Sequence, residues 1–231
     1  MEIGIMAISL VFMLIGMLVQ FRLKSKFKQY ANTRTSSGMS GKEVAQKMLK
    51  DNGIYDVDVV SVPGFLSDHY DPTKKTVNLS PEVYEGRNIT AAAVAAHECG
   101  HAVQHATAYS MLQLRSKLVP VTQISTNLSQ WVILAGIGFM GFGGGSQTIL
   151  LIGIVLFAVS TLFTVVTLPV EFDASSRALK WLNTANITTS SEDVQAKDAL
   201  KWAALTYVVA ALSSIAMLVY YIMIYNSRSR D

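Results

Sequence analysis

The chain has 231 residues, of which 51% are hydrophobic and only 15% charged, and its net charge is +3. A soluble domain carries about 25% charged residues, so the composition excludes an ordinary soluble enzyme, and a charge this small and scattered gives nucleic acid no footing. A single cysteine, Cys99, excludes an internal disulfide.

In chain order, residues 1–21 read as an N-terminal membrane anchor. Ile3 to Val19 is an apolar run with no basic residue before it, unlike a cleaved signal peptide. The stretch "QFRLKSKFK" follows, and Arg22, Lys24, Lys26 and Lys28 hold that end on the cytoplasmic side, leaving the N-terminus outside.

Residues 22–125 read as a water-exposed region with a small β element. In "SGKEVAQKMLKDNG", Ser40 and Glu43 have capping-box spacing, Val44, Ala45, Met48 and Leu49 form one apolar stripe, and Gly53 is the stop. "IYDVDVVSV" alternates as a strand does, and Thr76 to Leu79 is a second short strand. Ser80-Pro81 opens a helical turn, and Asn88 caps a longer helix over "ITAAAVAAHECGHAVQHA".

No Asp, Glu, Lys, Arg or His occurs from Leu118 to Val170 or from Trp202 to Ser227. A spanning helix needs about 20 mainly apolar residues, so residues 126–170 are expected to form a transmembrane hairpin turning at "GFGGGSQ", residues 141–147. Its second arm, Ile149 to Leu168, is strongly apolar. Its first arm is diluted by Thr122, Gln123, Asn127 and Gln130. Residues 171–201 return to polar character as a cytoplasmic helical segment. Residues 202–225 form the last span, with Trp202, Tyr220, Tyr221 and Tyr225 at interfacial depth. Four spans put 17 of the 19 Lys and Arg residues on the cytoplasmic side, with Arg228 and Arg230 as exceptions. The expected class is a mainly α multi-pass membrane protein.

The chemistry-bearing motif is His97-Glu98-Cys99-Gly100-His101, an H-E-x-x-H pattern. On a helix, residues four apart share a face at about 6 Å spacing. His97 and His101 are therefore placed to hold one zinc ion, and Glu98 to act as general base on a water that the zinc activates. His105 is eight positions from His97 with Ala102, Val103 and Gln104 between. An unbroken helix puts it about 12 Å further along the axis, so it is read as a polar face residue, and Cys99 as a packing residue. A catalytic zinc wants a third protein ligand. The candidates are the acidic residues and His69; Glu171, in "LPVEFDASSRALKW", stands out. It emerges from a two-span hairpin on the same side of the membrane as the histidines, where it is expected to open a helix.

Together, "GFLSDHYDPTKKTVNLSPEVYEGRNITAAAVAAHECGHAVQHA", the later "LPVEFDAS" and the hydrophobic layout resemble the YugP-like neutral zinc metallopeptidases, bacterial membrane proteins. The likeness covers nearly the whole chain, and a more distant one is to HtpX-like and CAAX prenyl proteases. It implies a zincin-like (gluzincin) metallopeptidase region at the cytoplasmic side of the cell membrane that cleaves peptide or protein substrates. It also implies zinc held by His97, His101 and Glu171, with Glu98 catalytic. In the HtpX-like pattern an aspartate follows the glutamate by four residues; here that position is Ser175, leaving Asp71 or Asp173 as the carboxylate to orient a ligand histidine. Arg177 is a candidate for stabilising an oxyanion, and the strand Thr76 to Leu79 for pairing with an extended substrate. Two rivals are an intramembrane-type metalloprotease, which an L-D-G sequence would have marked and which is absent, and a metal-binding membrane scaffold without hydrolytic activity.

Overall fold

A computed structural model describes residues 2–138 and 145–228. The described elements are α1 (Glu2–Ala31), α2 (Gly41–Asp51), β1 (Asp58–Ser61), β2 (His69–Asp71), β3 (Thr76–Leu79), α3 (Pro81–Glu85), α4 (Ile89–Ala106), α5 (Ser110–Ile137), α6 (Gln147–Thr184) and α7 (Ser190–Arg228). All but the last three residues of the expected turn at 141–147 lie outside the described residues.

The chain divides into two compact units. One comprises Met1–Leu18, Leu114–Leu168 and Thr206–Asp231; the other comprises Val19–Gln113 and Pro169–Leu205. Three described helices are long and apolar enough to cross a membrane: Ile3–Ala31, Gln147–Thr184 and Ser190–Arg228. α5, which contains the first arm of the expected hairpin, is not among them. In the first unit, large apolar side chains such as Leu10, Met17, Trp131, Ile152 and Leu212 are exposed, a surface that suits lipid and not water. Hydroxyl pairs join its helices: Thr126 with Ser160 at 2.9 Å and Thr161 with Ser214 at 2.8 Å. Arg228, an exception to the expected charge bias, donates to the carbonyl oxygens of Gly136 and Ile137 at 3.0 and 2.8 Å. Its charge satisfies the open C-terminal end of α5, where a cation is favoured.

The second unit carries the chemistry. α1 continues past its basic run because Leu23, Phe27 and Tyr30 are buried in this unit's core, and the Tyr30 hydroxyl donates to Asp198 at 2.6 Å. α2 begins at the expected capping box, with Ser40 and Glu43 each accepting from the other's backbone N–H. Its stripe of Val44, Ala45, Met48 and Leu49 is buried. The three strands form one sheet in the order β1-β3-β2, with β1 and β3 parallel and β2 and β3 antiparallel. β3 lies where the strand Thr76 to Leu79 was expected, but as the central strand. Both of its edges are already paired, so it cannot add a substrate strand as its sequence suggested. The free edges belong to β1 and β2.

α4 starts at Asn88, whose side chain accepts from the Ala91 N–H as expected. Most of α4 is buried on all sides, which its alanines permit: Ala91, Ala92, Ala93, Ala95 and Ala96 leave room for neighbours at backbone distance. α6 corrects an expectation. Glu171 does not open a helix; it lies well inside one that runs through Pro169 from Gln147 to Thr184. Proline removes one helical hydrogen bond and crowds the preceding turn. The helix nevertheless continues, and packing holds its last turns in place, with Val170, Ala174, Ala178 and Leu182 completely buried.

Candidate metal centre

The site is assembled by α4 and the part of α6 after Pro169. Spacing of four on α4 places His97 and His101 on one face, with ring centroids 4.8 Å apart and the rings nearly perpendicular. α6 crosses close enough to bring Glu171 over that face because Gly100 has no side chain. A Cβ there would stand 2.6 Å from the Ala174 carbonyl oxygen. Glu171 Oε2 lies 3.3 Å from His97 Nε2 and 3.6 Å from His101 Nε2.

One ligand atom from each of His97, His101 and Glu171 lies within 4.8 Å of the others. Ligands about 2.0–2.1 Å from a tetrahedral zinc are separated by about 3.3 Å, so the two carboxylate–imidazole distances already match a shared cation. Two imidazoles and one carboxylate are also a donor set that zinc accepts with a fourth position left open. The three side chains expected to meet do so.

Electrostatics fit the same reading. Burial would lift the Glu171 carboxyl, but the His101 and His97 rings beside it outweigh burial and hold it well below the usual carboxylate range. Burial disfavours the charged form of His101, yet Glu171, aided by Glu98 and Gln104, raises its pKa. The buried Glu171 carboxylate faces two imidazoles, a setting in which a divalent cation could supply the counter-charge. Glu98, only 8% exposed, has its pKa raised mainly by burial; the histidines oppose the rise, and Glu171 and Asp68 add to it.

Around the ligands, the structure answers what the sequence left open. Ser175, where the HtpX-like pattern has an aspartate, places its Oγ 3.1 Å from His97 Nδ1. Asp173 touches neither histidine; it accepts from Gln104 Nε2 at 2.8 Å and from Arg177 Nε at 2.6 Å. Gln104, which is completely buried, has its Oε1 3.0 Å from His101 Nδ1. Sequence reasoning passed over Gln104, although its place three residues after His101 on a helix was the available signal. Asp71 accepts from the backbone of Thr73 and Lys74 in the β2–β3 turn and is not brought to the ligands. Arg177 is committed to Asp173 and lies over the Tyr109 ring. His105 pairs with the Tyr70 hydroxyl at 2.9 Å, and His69 Nδ1 meets the Ser67 carbonyl at 2.7 Å; neither joins the cluster. Cys99 is buried with its Sγ against the Ala45 carbonyl, a packing residue as expected.

A second feature lies outside the ligand cluster. Asp68, whose charge Glu98 feels, accepts from the backbone N–H and hydroxyl of Ser80. It lines a cavity of about 480 Å³ whose walls include Phe27, Leu66, Val83 and Ala91.

Residues 5–226 match a protein-family model described as "Putative neutral zinc metallopeptidase". The chain belongs to this neutral zinc metallopeptidase family. A relative of this family member, "Putative membrane protease YugP" from Bacillus subtilis (strain 168), is 42% identical over 213 residues, 92% of each chain. No solved structure gives a significant match. Family membership and the three apolar helices together make this a membrane protein whose His-His-Glu cluster lies within the family's matched region.

Proposed function

We propose that this protein is a membrane-bound zinc endopeptidase of the gluzincin type that hydrolyses peptide bonds at the cytoplasmic face of the cell membrane. The observation that carries this reading is the convergence of His97 Nε2, His101 Nε2 and Glu171 Oε2 from two helices onto one point. His97, His101 and Glu171 hold the ion. Zinc, when bound, supplies a Lewis acid that acidifies water and polarises a scissile carbonyl. Glu98 takes the proton of the attacking water and passes it to the leaving amine. Buried helix packing around α4 excludes bulk water, which strengthens these charge interactions.

The substrate is a peptide or protein, including segments of membrane proteins that emerge beside the basic end of α1. The free edge of β2 (His69–Asp71), in place of the central strand β3, offers the backbone groups for an extended chain. The apolar cavity beside Asp68 has room for its side chains. The chain divides as an anchor (residues 1–21), a catalytic region (22–125), a transmembrane hairpin (126–170), a ligand-bearing segment (171–201) and a last span (202–225).

The test uses full-length protein in detergent or nanodiscs, with zinc content and cleavage of casein and model peptides measured on the same sample. Wild-type protein is expected to hold about one zinc and to cleave. Glu98→Gln is expected to keep the zinc and lose activity by at least about a hundredfold, the scale of a missing general base. A wild-type sample that binds zinc but never cleaves supports the scaffold reading instead, and full activity in Glu98→Gln removes Glu98 from the mechanism.

A further inference from the structure

We infer that Gln104, anchored by Asp173, is a positioning residue that fixes the ring of His101 with its Nε2 lone pair toward the metal. This rests on the zinc reading above. Three contacts leave little freedom in the assignment. The Gln104 side-chain nitrogen faces two acceptors, the Val170 carbonyl oxygen at 2.8 Å and Asp173 Oδ2 at 2.8 Å. An amide turned the other way would press its oxygen against both of them, at a residue with no exposure to water. The amide oxygen therefore points to His101 Nδ1, 3.0 Å away. Because that oxygen only accepts, Nδ1 carries the proton, and Nε2 is left as the ligand nitrogen.

Metal-binding histidines are commonly oriented through the other ring nitrogen by a carboxylate or a backbone carbonyl. Here a neutral amide stands between the ring and the carboxylate of Asp173, whose charge is in turn met by Arg177 at 2.6 Å. The arrangement orients His101 without adding a negative charge against the ring. Gln104 also ties the two ligand-bearing helices together, since its side chain leaves α4 and bonds to the α6 backbone one residue before Glu171.

Zinc affinity, measured by competition with a chromophoric chelator, and the visible absorption bands of the cobalt(II)-loaded protein report on ligand geometry without relying on turnover. Gln104→Leu is expected to weaken zinc by at least about tenfold, the scale of losing a group that orients a ligand, and to shift the cobalt bands. Asp173 is partly exposed, so its variants are expected to fold. Asp173→Ala should weaken zinc several-fold, and Asp173→Asn, which keeps an acceptor oxygen for Gln104, should restore most of that loss. Cys99→Ala, another completely buried change on α4, should leave zinc affinity and the cobalt spectrum unchanged. Wild-type affinity and spectrum in Asp173→Ala overturn the inference, whatever Gln104→Leu does. A wild-type protein that holds no zinc overturns the reading beneath it instead, so the two failures are distinguishable.

Discussion

Gly100 sits inside the H-E-x-x-H pattern at a position the pattern leaves free, yet the crossing of α4 and α6 depends on it. An alanine Cβ would stand 2.6 Å from the backbone oxygen of Ala174, and backbone cannot swing aside as a side-chain tip can. Gly100→Ala must push the helices apart, and with them Glu171 from the histidines. It is expected to cost about 1–3 kcal/mol, the range for overpacking a well-filled interior, and to weaken zinc in the same sample. Thermal unfolding and chelator competition check both; a wild-type melting temperature with wild-type zinc affinity would disprove the tight crossing. At this scale the sequence was readable where chemistry forces spacing. His97 and His101 follow from a helical repeat, and Glu171 stood out among the acidic residues and His69 as the expected third ligand. Gln104, Ser175 and Asp68 act through contacts set by packing between α4, α6 and the β2–β3 region, and no spacing rule announces those.

Helix ends show the same division between what is written locally and what packing imposes. α2, α4 and α6 end alike, with one residue in the left-handed conformation: Gly53 at φ 71°, Ala108 at φ 52° and Asn186 at φ 53°. In each the following N–H bonds to a carbonyl five residues back: Ile54 to Leu49, Tyr109 to Gln104 and Ile187 to Leu182. This closure satisfies carbonyls that a helix otherwise leaves open. Gly53 was legible as a stop because glycine accepts positive φ freely. Ala108 gave no such signal, because alanine is the best helix former and occupies the left-handed region only under constraint. Replacing it with glycine relieves that strain, so Ala108→Gly is expected to raise stability by up to about 1 kcal/mol, where most glycine substitutions lower it. A lower melting temperature for Ala108→Gly would show that the strain is not there. The start of α7 repeats the capping box of α2, with Thr189 and Glu192 each accepting from the other's N–H. Its "TSSE" pattern carries the same spacing as Ser40 and Glu43 and was equally open to reading. Pro169 shows packing overriding a local signal. It normally punctuates a helix, but buried contacts on α6 carried the helix through it.

For the molecule as a whole, the site constrains the path of the chain through a bilayer. His97 and Glu171 meet within one compact unit that includes Gln113 and Pro169, so in the proposed topology the stretch between those residues leaves and returns on one side. That topology has it cross an even number of times. Of α5 and α6, only α6 is long and apolar enough to cross by itself; the proposed topology has α5 make the other crossing despite its polar residues. Thr126 of α5 pairs with Ser160 of α6, a contact that would partner both hydroxyls in lipid. With α1 and α7 the proposed topology has four crossings and puts the site inside, the arrangement that places 17 of the 19 lysines and arginines on the cytoplasmic side. Because Cys99 is the sole cysteine and is buried, single cysteines introduced into a Cys99→Ala background report sidedness cleanly. In intact cells, an impermeant maleimide is expected to label Ser146→Cys and to spare Ser37→Cys and Asn186→Cys until the membrane is opened. Ser37→Cys and Asn186→Cys on opposite sides would mean that the carboxylate and the imidazoles cannot share an ion. Ser146→Cys protected along with them would mean that α5 and α6 enter the bilayer without crossing it. The shared ion and the fourth crossing are thus tied by parity, and one labelling pattern tests both.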